Sequence, residues 1–170
     1  MDALRFDVGQ GAYELNVQQF CCAGLNFGYF YADSPIIAHE SEAPPAYSMG
    51  GFTPSTVPGC RAPHFWLADG RSLYDAFGPG YTLLRFDAGA DVKADVSALV
   101  AAAQVRNMPL AVLDVQATHI PKACLHKLVL CRADQHAVWR GDQLPRELAR
   151  LVALLCGAVR CCTAHGALIH

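Results

Sequence analysis

The chain has 170 residues, of which 53% are hydrophobic and 16% charged, and its formal net charge is −2. This length suits one ordinary domain, which buries roughly 70% of the surface that its unfolded chain exposes. The slightly negative charge and the scattered Lys and Arg residues argue against nucleic acid or an anionic membrane as the main partner.

Two further features concern the surroundings of the chain. No apolar run approaches the roughly 20 residues of a membrane-spanning helix. The first residues lack the basic flank and apolar segment of a signal peptide, so we expect a cytoplasmic protein with reduced thiols. Composition leaves open whether the high apolar fraction reflects an alanine-rich core or a surface that packs against another domain or subunit.

Residues 1–57 are predicted to form a β-rich lead-in followed by a loop. Residues 13–20 alternate apolar and polar side chains, and residues 24–31 form a second strand candidate that ends before Ser34-Pro35. Residues 38–57 hold two double turn signals, Pro44-Pro45 and Gly50-Gly51, and show little periodicity. A loop is therefore expected there.

The next segment, residues 58–67, has the sequence Pro-Gly-Cys-Arg-Ala-Pro-His-Phe-Trp-Leu and is followed by Asp69-Gly70. It is too rigid for a linker and too interrupted for a helix, because proline fixes φ and lacks an N–H. One interpretation is a site in which Arg61 binds a carboxylate or phosphate and His64 moves protons. The residues favour a structural role, with Arg61 and His64 hydrogen-bonded to loop carbonyls and Trp66 packed at the edge of the core.

A compact α/β unit is predicted from Tyr81 onwards. Residues 81–86 form a strand, and residues 94–106 form a helix with Val96, Leu99, Val100 and Ala103 on one face. Residues 110–115 are almost continuously apolar, which predicts a central parallel strand covered on both faces. The crossover between the two strands is expected to be right-handed.

A hairpin and a helix complete the predicted unit. Residues 127–132 and 136–140 flank a short polar turn. A final helix starts near Pro145, with a stripe of Leu144, Leu148, Leu151, Leu155 and Val159, and residues 163–170 are a tail. The order β-α-β followed by β-β-α predicts an α/β, thioredoxin-like fold. Its β-α-β-β-β-α core belongs to a domain of residues 58–162, with the β-rich lead-in as an N-terminal extension.

The eight cysteines, at positions 21, 22, 60, 124, 131, 156, 161 and 162, form no C-x-x-C motif. Residues 87–91, where a thioredoxin would carry its reactive pair, contain no cysteine. We therefore predict mostly reduced thiols that pack as small apolar groups, and no metal site. Two alternatives stay open: a thiol oxidoreductase or peroxidase that uses Cys60, and a small metal-binding module that uses Cys124, His126 and the C-terminal cysteines.

Two motifs carry a resemblance to a known family. The first comprises Pro58, Gly59, Arg61, Pro63, His64, Trp66 and Leu67, and the second spans residues 132–142. Over residues 24–157 the chain resembles the C-terminal, thioredoxin-like domain of FAD-dependent aromatic-ring hydroxylases, the phenol-hydroxylase-like flavoprotein monooxygenases. In the second motif, Cys131 and Ala133 replace the valine and proline that are common in that family, which predicts a looser turn.

The resemblance implies a parent enzyme that uses FAD, NAD(P)H and O₂ to hydroxylate an aromatic ring. In such enzymes other domains carry the chemistry, so no catalytic, cofactor-binding or metal-ligating residue is expected in this chain. The chain also lacks G-x-G-x-x-G, since Gly9-Gln10-Gly11 and Gly78-Pro79-Gly80 are its nearest spacings.

The implied role of this domain is packing, either as a homodimer or against a flavin-binding domain. Ten motif residues are candidates for structural or interface roles: Pro58, Gly59, Arg61, Pro63, His64, Trp66, Asp69, Gly70, Asp134 and Trp139.

Overall fold

In the computed structural model, which describes residues 2–20, 22–86 and 96–158, four short apolar segments pair into a mixed sheet. The strands are β1 (Tyr81–Arg85), β2 (Leu110–Asp114), β3 (Leu128–Cys131) and β4 (Ala137–Gly141), in the spatial order β2-β1-β3-β4. Strand β1 is parallel to β2 and antiparallel to β3, and β3 is antiparallel to β4. The chain is therefore an α/β protein with a four-stranded mixed sheet in its described part.

Helices lie before, between and after these strands: α1 (Asp2–Phe20), α2 (Ala23–Phe27), α3 (Ser97–Val105) and α4 (Leu148–Leu155), with a 3₁₀ turn at Tyr74–Ala76. Helix α3 consists mainly of strong helix formers and ends where Asn107 adopts a φ of +53°. Helix α4 ends in the same way, because Gly157 has a φ of +72°. None of the helices in the described residues is long and apolar enough to cross a membrane.

The two faces of the sheet are covered by different elements. Side chains alternate along each strand, so Leu83 and Leu84 enter different clusters of buried residues. Leu83 packs with residues of α3 and α4, including Leu99 and Val152, on the helical face. Leu84 packs on the opposite face with Phe65 and other residues of the proline-rich segment. This segment therefore takes the place that a second layer of helices has in a doubly wound fold.

The predicted elements from Tyr81 onwards are confirmed in type and order, with one correction. The hairpin β3–β4 is antiparallel, and Leu151 and Leu155 of the predicted stripe are buried. Strand β2 is parallel to β1 as predicted, but it lies at the edge of the sheet and not in its centre. Its apolar sequence is explained instead by partial burial on both faces. Residues 87–95, Val159 and the tail 163–170 lie outside the described residues.

The prediction of a β-rich lead-in is wrong. Residues 13–20 belong to α1, and residues 23–27 form α2, so only an isolated bridge between Phe30 and Cys60 remains of the second predicted strand. The alternating pattern misled because the apolar side chains of α1 point to solvent: Tyr13 is 64% exposed and Leu15 76% exposed. Because these side chains are not buried, their spacing does not show whether the segment is a strand, with a period of two residues, or a helix, with a period of 3.6 residues.

The loop predicted for residues 38–57 is present and is attached to the sheet by side chains. Arg140 of β4 is buried and donates to the carboxylates of Glu40 and Glu42 and to the Thr56 hydroxyl. The Thr56 hydroxyl in turn donates to the Ala123 carbonyl at 3.0 Å. A charged side chain in the middle of a strand thus fixes a loop that has no secondary structure of its own.

Candidate functional site

The proline-rich segment is attached to the outer edge of β4 by main-chain hydrogen bonds. The Gly59 N–H donates to the Ala137 carbonyl at 2.7 Å, and the Ala137 N–H donates to the Cys60 carbonyl at 2.9 Å. Gly59 has a φ of +102°, and a Cβ at this position would lie 2.8 Å from the Tyr31 carbonyl oxygen. Pro58 is buried beside it, as is Pro63 further along the segment. Only glycine fits at position 59, and the segment is held rigidly there.

Arg61 is the best-connected charged side chain of the segment. Its Nε donates to the Gln135 side-chain oxygen at 2.9 Å, and one terminal nitrogen donates to the Asn26 carbonyl at 3.2 Å. The guanidinium also lies over two rings, at 5.3 Å from the centre of Phe27 and 5.2 Å from that of Tyr74. These contacts link α2, the proline-rich segment and the β3–β4 turn through one cation.

His64 and Trp66 lie on the surface. His64 Nε2 lies 3.0 Å from the Ser72 hydroxyl and makes no hydrogen bond to a loop carbonyl among the described residues. The prediction that Trp66 packs at the edge of the core is wrong, because its side chain is 64% exposed. The reason is a strand-like alternation in this segment: Phe65 and Leu67 point into the core, so Trp66 between them points to solvent.

These side chains form a continuous line, which we name the aromatic row: Trp66, His64, Tyr74, Arg61, Phe27 and Phe52. Successive ring or guanidinium centres are separated by 5.2, 5.2, 5.2, 5.3 and 5.8 Å. Phe27 is 45% exposed and Trp66 64% exposed, so both halves of the row reach solvent. Aromatic and arginine side chains of this kind are enriched at the centres of protein interfaces.

The sequence pointed to only half of the aromatic row. Arg61, His64 and Trp66 stand in one motif, and Tyr74 follows it closely. Phe27 and Phe52 come from distant parts of the chain and have no local signal. Their place in the row depends on tertiary contacts, which periodicity does not encode.

Asp69 and Gly70 form a turn away from the row. The Asp69 carboxylate accepts hydrogen bonds from the Arg71 N–H at 3.1 Å and from the Arg71 Nε at 2.8 Å. These bonds lower the pKa of Asp69. Gly70 has a φ of +83°, with open space where a Cβ would be. The turn allows Trp66 and Ser72 to pair as an isolated antiparallel β-bridge.

Asp134 organises the β3–β4 turn. Its carboxylate pairs with Arg132 and accepts a hydrogen bond from the Tyr31 hydroxyl at 3.3 Å. Burial opposes ionisation of Asp134, but the hydrogen bond and charge of Arg132 outweigh it, and its pKa is lowered. His136 Nδ1 donates to the Asp134 carbonyl at 3.0 Å, and its ring lies 4.7 Å from that of Tyr31. Trp139, three residues further on, packs half-buried on the helical face.

Three of the described cysteines, Cys60, Cys124 and Cys131, do not have the surroundings of reactive thiols. Cys60 and Cys131 are buried, and burial raises the pKa of both thiols. Burial also raises the pKa of Cys124 to about 11. The thiolate is the nucleophilic form, so burial lowers the reactivity of these thiols near neutral pH. This observation disfavours a thiol oxidoreductase that uses Cys60.

The metal-binding alternative gains no support from the described residues. No three His, Cys, Asp or Glu side chains of the described ranges converge as a metal site. Cys21, Cys161 and Cys162 lie outside those ranges.

The glycine spacings do not fit the phosphates of FAD. The Gly78 N–H donates to the Thr82 hydroxyl at 2.9 Å, and Gly9 and Gly11 lie inside α1. A phosphate loop needs free N–H groups at a strand-to-helix turn, and neither place provides them.

Comparison with a family profile identifies the class of protein to which this fold and these motifs belong. The profile described as aromatic-ring hydroxylase, C-terminal, matches residues 55–158, which include the proline-rich segment, the sheet, α3 and α4. The chain belongs to this family. The two motifs, residues 58–67 and 132–142, lie within this aromatic-ring hydroxylase C-terminal domain. They belong to its sheet and to the layer that covers the sheet face opposite the helices.

Individual relatives agree with the family. The chain is 32% identical over 140 residues to the FAD-dependent monooxygenase apdD of Emericella nidulans, covering 79% of this chain and 22% of apdD. It is 29% identical over 143 residues to the FAD-dependent monooxygenase opdD of Penicillium oxalicum, covering 79% of this chain and 27% of opdD.

A solved structure shows the same fold. RebC-10x, studied native and with bound K252c, is 35% identical, with a TM-score of 0.74 over 93% of this chain and 29% of that one. The aromatic-ring hydroxylase C-terminal domain described here therefore spans about a quarter of the length of the relatives that it matches.

Proposed function

We propose that this chain is the C-terminal packing domain of an FAD-dependent aromatic hydroxylase and takes no direct part in the chemistry. The parent reaction would be ring hydroxylation that consumes NAD(P)H and O₂. The flavin-binding and catalytic residues would lie in the regions of the relatives that this chain does not match. Its own role would be to pack against the flavin-binding domain and to form a homodimer.

The aromatic row is the observation that carries this proposal. Arg61, at its centre, is occupied by hydrogen bonds to Gln135 and Asn26, so it is not available to bind a substrate carboxylate. His64 lies beside Ser72, whose hydroxyl already accepts the Tyr74 N–H at 3.2 Å and stabilises the turn. The row thus offers an exposed apolar surface in place of an acid–base pair, and such a surface suits a partner domain.

Two finer statements belong to the same proposal. The thioredoxin-like description is supported by the order β-α-β-β-β-α and by the mixed sheet. A cytoplasmic location is supported by the unpaired thiols of Cys60, Cys124 and Cys131, since a reducing compartment preserves such thiols.

The packing role is tested by the fluorescence of an apolar dye. We expect the purified chain to bind the dye, and the variant Phe27→Gln/Trp66→Gln to bind at least about twofold less, because both changes interrupt one contiguous patch. The control is Leu15→Gln/Leu125→Gln, which removes two side chains that are 76% and 79% exposed but lie outside the row.

Equal losses in the two variants would contradict the proposal, because dye binding would then follow exposed apolar area in general. In the same samples, added FAD should show the fluorescence anisotropy of free FAD. A rise in anisotropy on addition of the chain would contradict the non-catalytic role.

A further inference from the structure

Residues 40–54, which we name the strap, cross the surface without secondary structure of their own. The structure describes all of them, and none is buried. Only Pro44, Pro45 and Phe52 are partly buried, whereas residues 55–60, which follow the strap, are buried. Burial of apolar side chains therefore contributes little to holding the strap in place.

Arg140 holds the beginning of the strap through its charge. Its Nε donates to the Glu40 carboxylate at 2.9 Å, and a terminal nitrogen donates to the carboxylate of Glu42. The Arg140 side chain is 3% exposed, whereas that of Glu42 is 63% exposed. The cation thus belongs to the sheet, and the carboxylates that neutralise it belong to the strap. Because a buried cation without a counter-ion is costly, these ion pairs keep the strap against the sheet.

Two weaker contacts hold the middle and the end of the strap. The Met49 carbonyl accepts the N–H groups of Gly24 and Leu25 at 3.1 and 3.2 Å. Further along, the Phe52 ring lies 5.8 Å from that of Phe27. An exposed hydrogen bond and a single ring pair each stabilise a loop only slightly, so Arg140 is its main point of attachment.

The strap covers Cys60. A small cavity is lined by strap residues, among them Pro45, Tyr47 and Phe52, and by Cys60. Cys60 is buried but belongs to neither of the two clusters of core residues. Cys131 of β3, by contrast, is fully buried in the cluster on the face opposite the helices. The burial of Cys60 therefore depends in part on the strap, and that of Cys131 depends on the sheet.

We propose that the strap opens as a unit when the ion pairs of Arg140 break, while the sheet stays folded. Opening uncovers Cys60 and withdraws Phe52 from the aromatic row. The opening goes beyond the proposed packing function and does not depend on it. Only the effect on the aromatic row rests on that function.

The first test compares the labelling of Cys60 and Cys131 by iodoacetamide in the folded wild type. Each rate is divided by the rate of the same thiol in the unfolded chain, which removes differences in thiol chemistry. We expect the corrected rate of Cys60 to exceed that of Cys131 at least about tenfold, because only Cys131 requires the sheet to unfold. Low concentrations of urea should accelerate Cys131 more than Cys60, since opening of the strap exposes less surface than unfolding.

The variant Arg140→Met assigns the opening to Arg140. Methionine leaves no unpaired charge in the sheet, and we expect Cys60 to be labelled at least about fivefold faster than in the wild type. The charge of Arg140 lowers the pKa of the Cys60 thiol, so its loss alone would slow the labelling. Arg150→Met is the matched control, because it removes an exposed ion pair with Glu147 and should leave the rate unchanged. Circular dichroism and thermal unfolding verify that each variant is folded.

A second variant and a second measurement are independent of the thiols. Glu40→Gln/Glu42→Gln removes the carboxylates from the strap and keeps Arg140. The N–H groups of Gly24 and Leu25 lie in the first turn of α2, where the strap supplies their acceptor. Hydrogen exchange of these two amides should be at least about fivefold faster than in the wild type.

Two results would overturn the inference. Equal corrected rates for Cys60 and Cys131 in the wild type, with equal dependence on urea, would show that Cys60 is uncovered only when the sheet unfolds. Unchanged labelling in Arg140→Met, together with unchanged exchange in Glu40→Gln/Glu42→Gln, would show that Arg140 does not hold the strap. Neither result affects the dye-binding test of the packing function, so the two proposals fail separately.

Discussion

Gly59 is the residue at which the backbone conformation matters most. Its φ of +102° is combined with a Tyr31 carbonyl oxygen 2.8 Å from the position of an added Cβ. Gly70 has a similar φ, +83°, but nothing within 4 Å of that position. Substitution of Gly70 therefore measures the cost of a left-handed conformation alone. Substitution of Gly59 adds the cost of a steric clash.

We expect Gly59→Ala to lower the free energy of unfolding by about 3 kcal/mol and Gly70→Ala by about 1 kcal/mol. The difference arises because the chain at Tyr31 must shift in the first variant. Urea unfolding of the two variants measures it. Equal losses would show that the proline-rich segment does not lie against Tyr31 as described.

The thiols give a second prediction at the scale of single residues. Cys156 is exposed, whereas Cys60 is buried and the pKa of its thiol is raised by that burial. Iodoacetamide at pH 7.5 should therefore label Cys156 at least about tenfold faster than Cys60 in the folded chain. Peptide mapping by mass spectrometry measures both rates. Equal rates in the folded chain, with equal rates after unfolding as the control, would restore Cys60 as a candidate reactive thiol.

At the scale of elements, sequence patterns succeeded where burial determines the structure. Residues 81–86 and 127–140 have apolar positions that enter two clusters, so their periodicity and turn signals predicted β1, β3 and β4 correctly. The pattern failed for α1, where Tyr13 and Leu15 are exposed and nothing buried enforces a period. It also could not identify β2 as an edge strand, because edge and central strands of this length can share an apolar sequence.

In the candidate site, too, some residues were predicted from the sequence and others were not. The motif residues Arg61, His64 and Trp66 were found because the segment is unusual in itself. Phe27 and Gln135 join Arg61 only through contacts between distant parts of the chain. Such partners follow from the tertiary fold, and a single sequence does not reveal them.

The β3–β4 turn carries a prediction about pH. The pKa of Asp134 is lowered because Arg132 outweighs the effect of burial. A carboxyl whose pKa is lower in the folded state stabilises the fold above the unfolded pKa of about 4, and the contribution is lost as pH falls through the lower folded pKa. Asp134→Asn should therefore be less stable than the wild type at pH 7 and nearly equal to it at pH 2.

The effect at pH 7 should be under about 1 kcal/mol, because the Asp134 side chain is 35% exposed and solvent screens its ion pair. Asp75→Asn is the matched control, since that carboxylate is exposed and has no ion pair among the described residues. Thermal unfolding from pH 2 to pH 7 measures both variants. A pH-independent difference for Asp134→Asn would contradict the role assigned to Arg132.

At the scale of the whole molecule, the sheet has a helical face and a face covered by the proline-rich segment, and β4 is the edge to which that segment is hydrogen-bonded. The aromatic row lies on the proline-rich segment and its neighbours, and β2 lies at the far edge from β4. Under the proposed function, the aromatic row is the contact surface for a partner domain. In the proposed function, a domain arranged in this way helps to assemble an enzyme without contributing to its chemistry.

The measurement that tests this account most directly is size-exclusion chromatography with light scattering on the chain mixed with FAD, with a visible spectrum of the eluted peak. The account predicts a colourless dimer, because in the proposed function the chain associates and the flavin-binding residues lie in other parts of the parent enzyme. A yellow peak with the spectrum of bound flavin would contradict it, and the chain would then have to be treated as an enzyme in its own right.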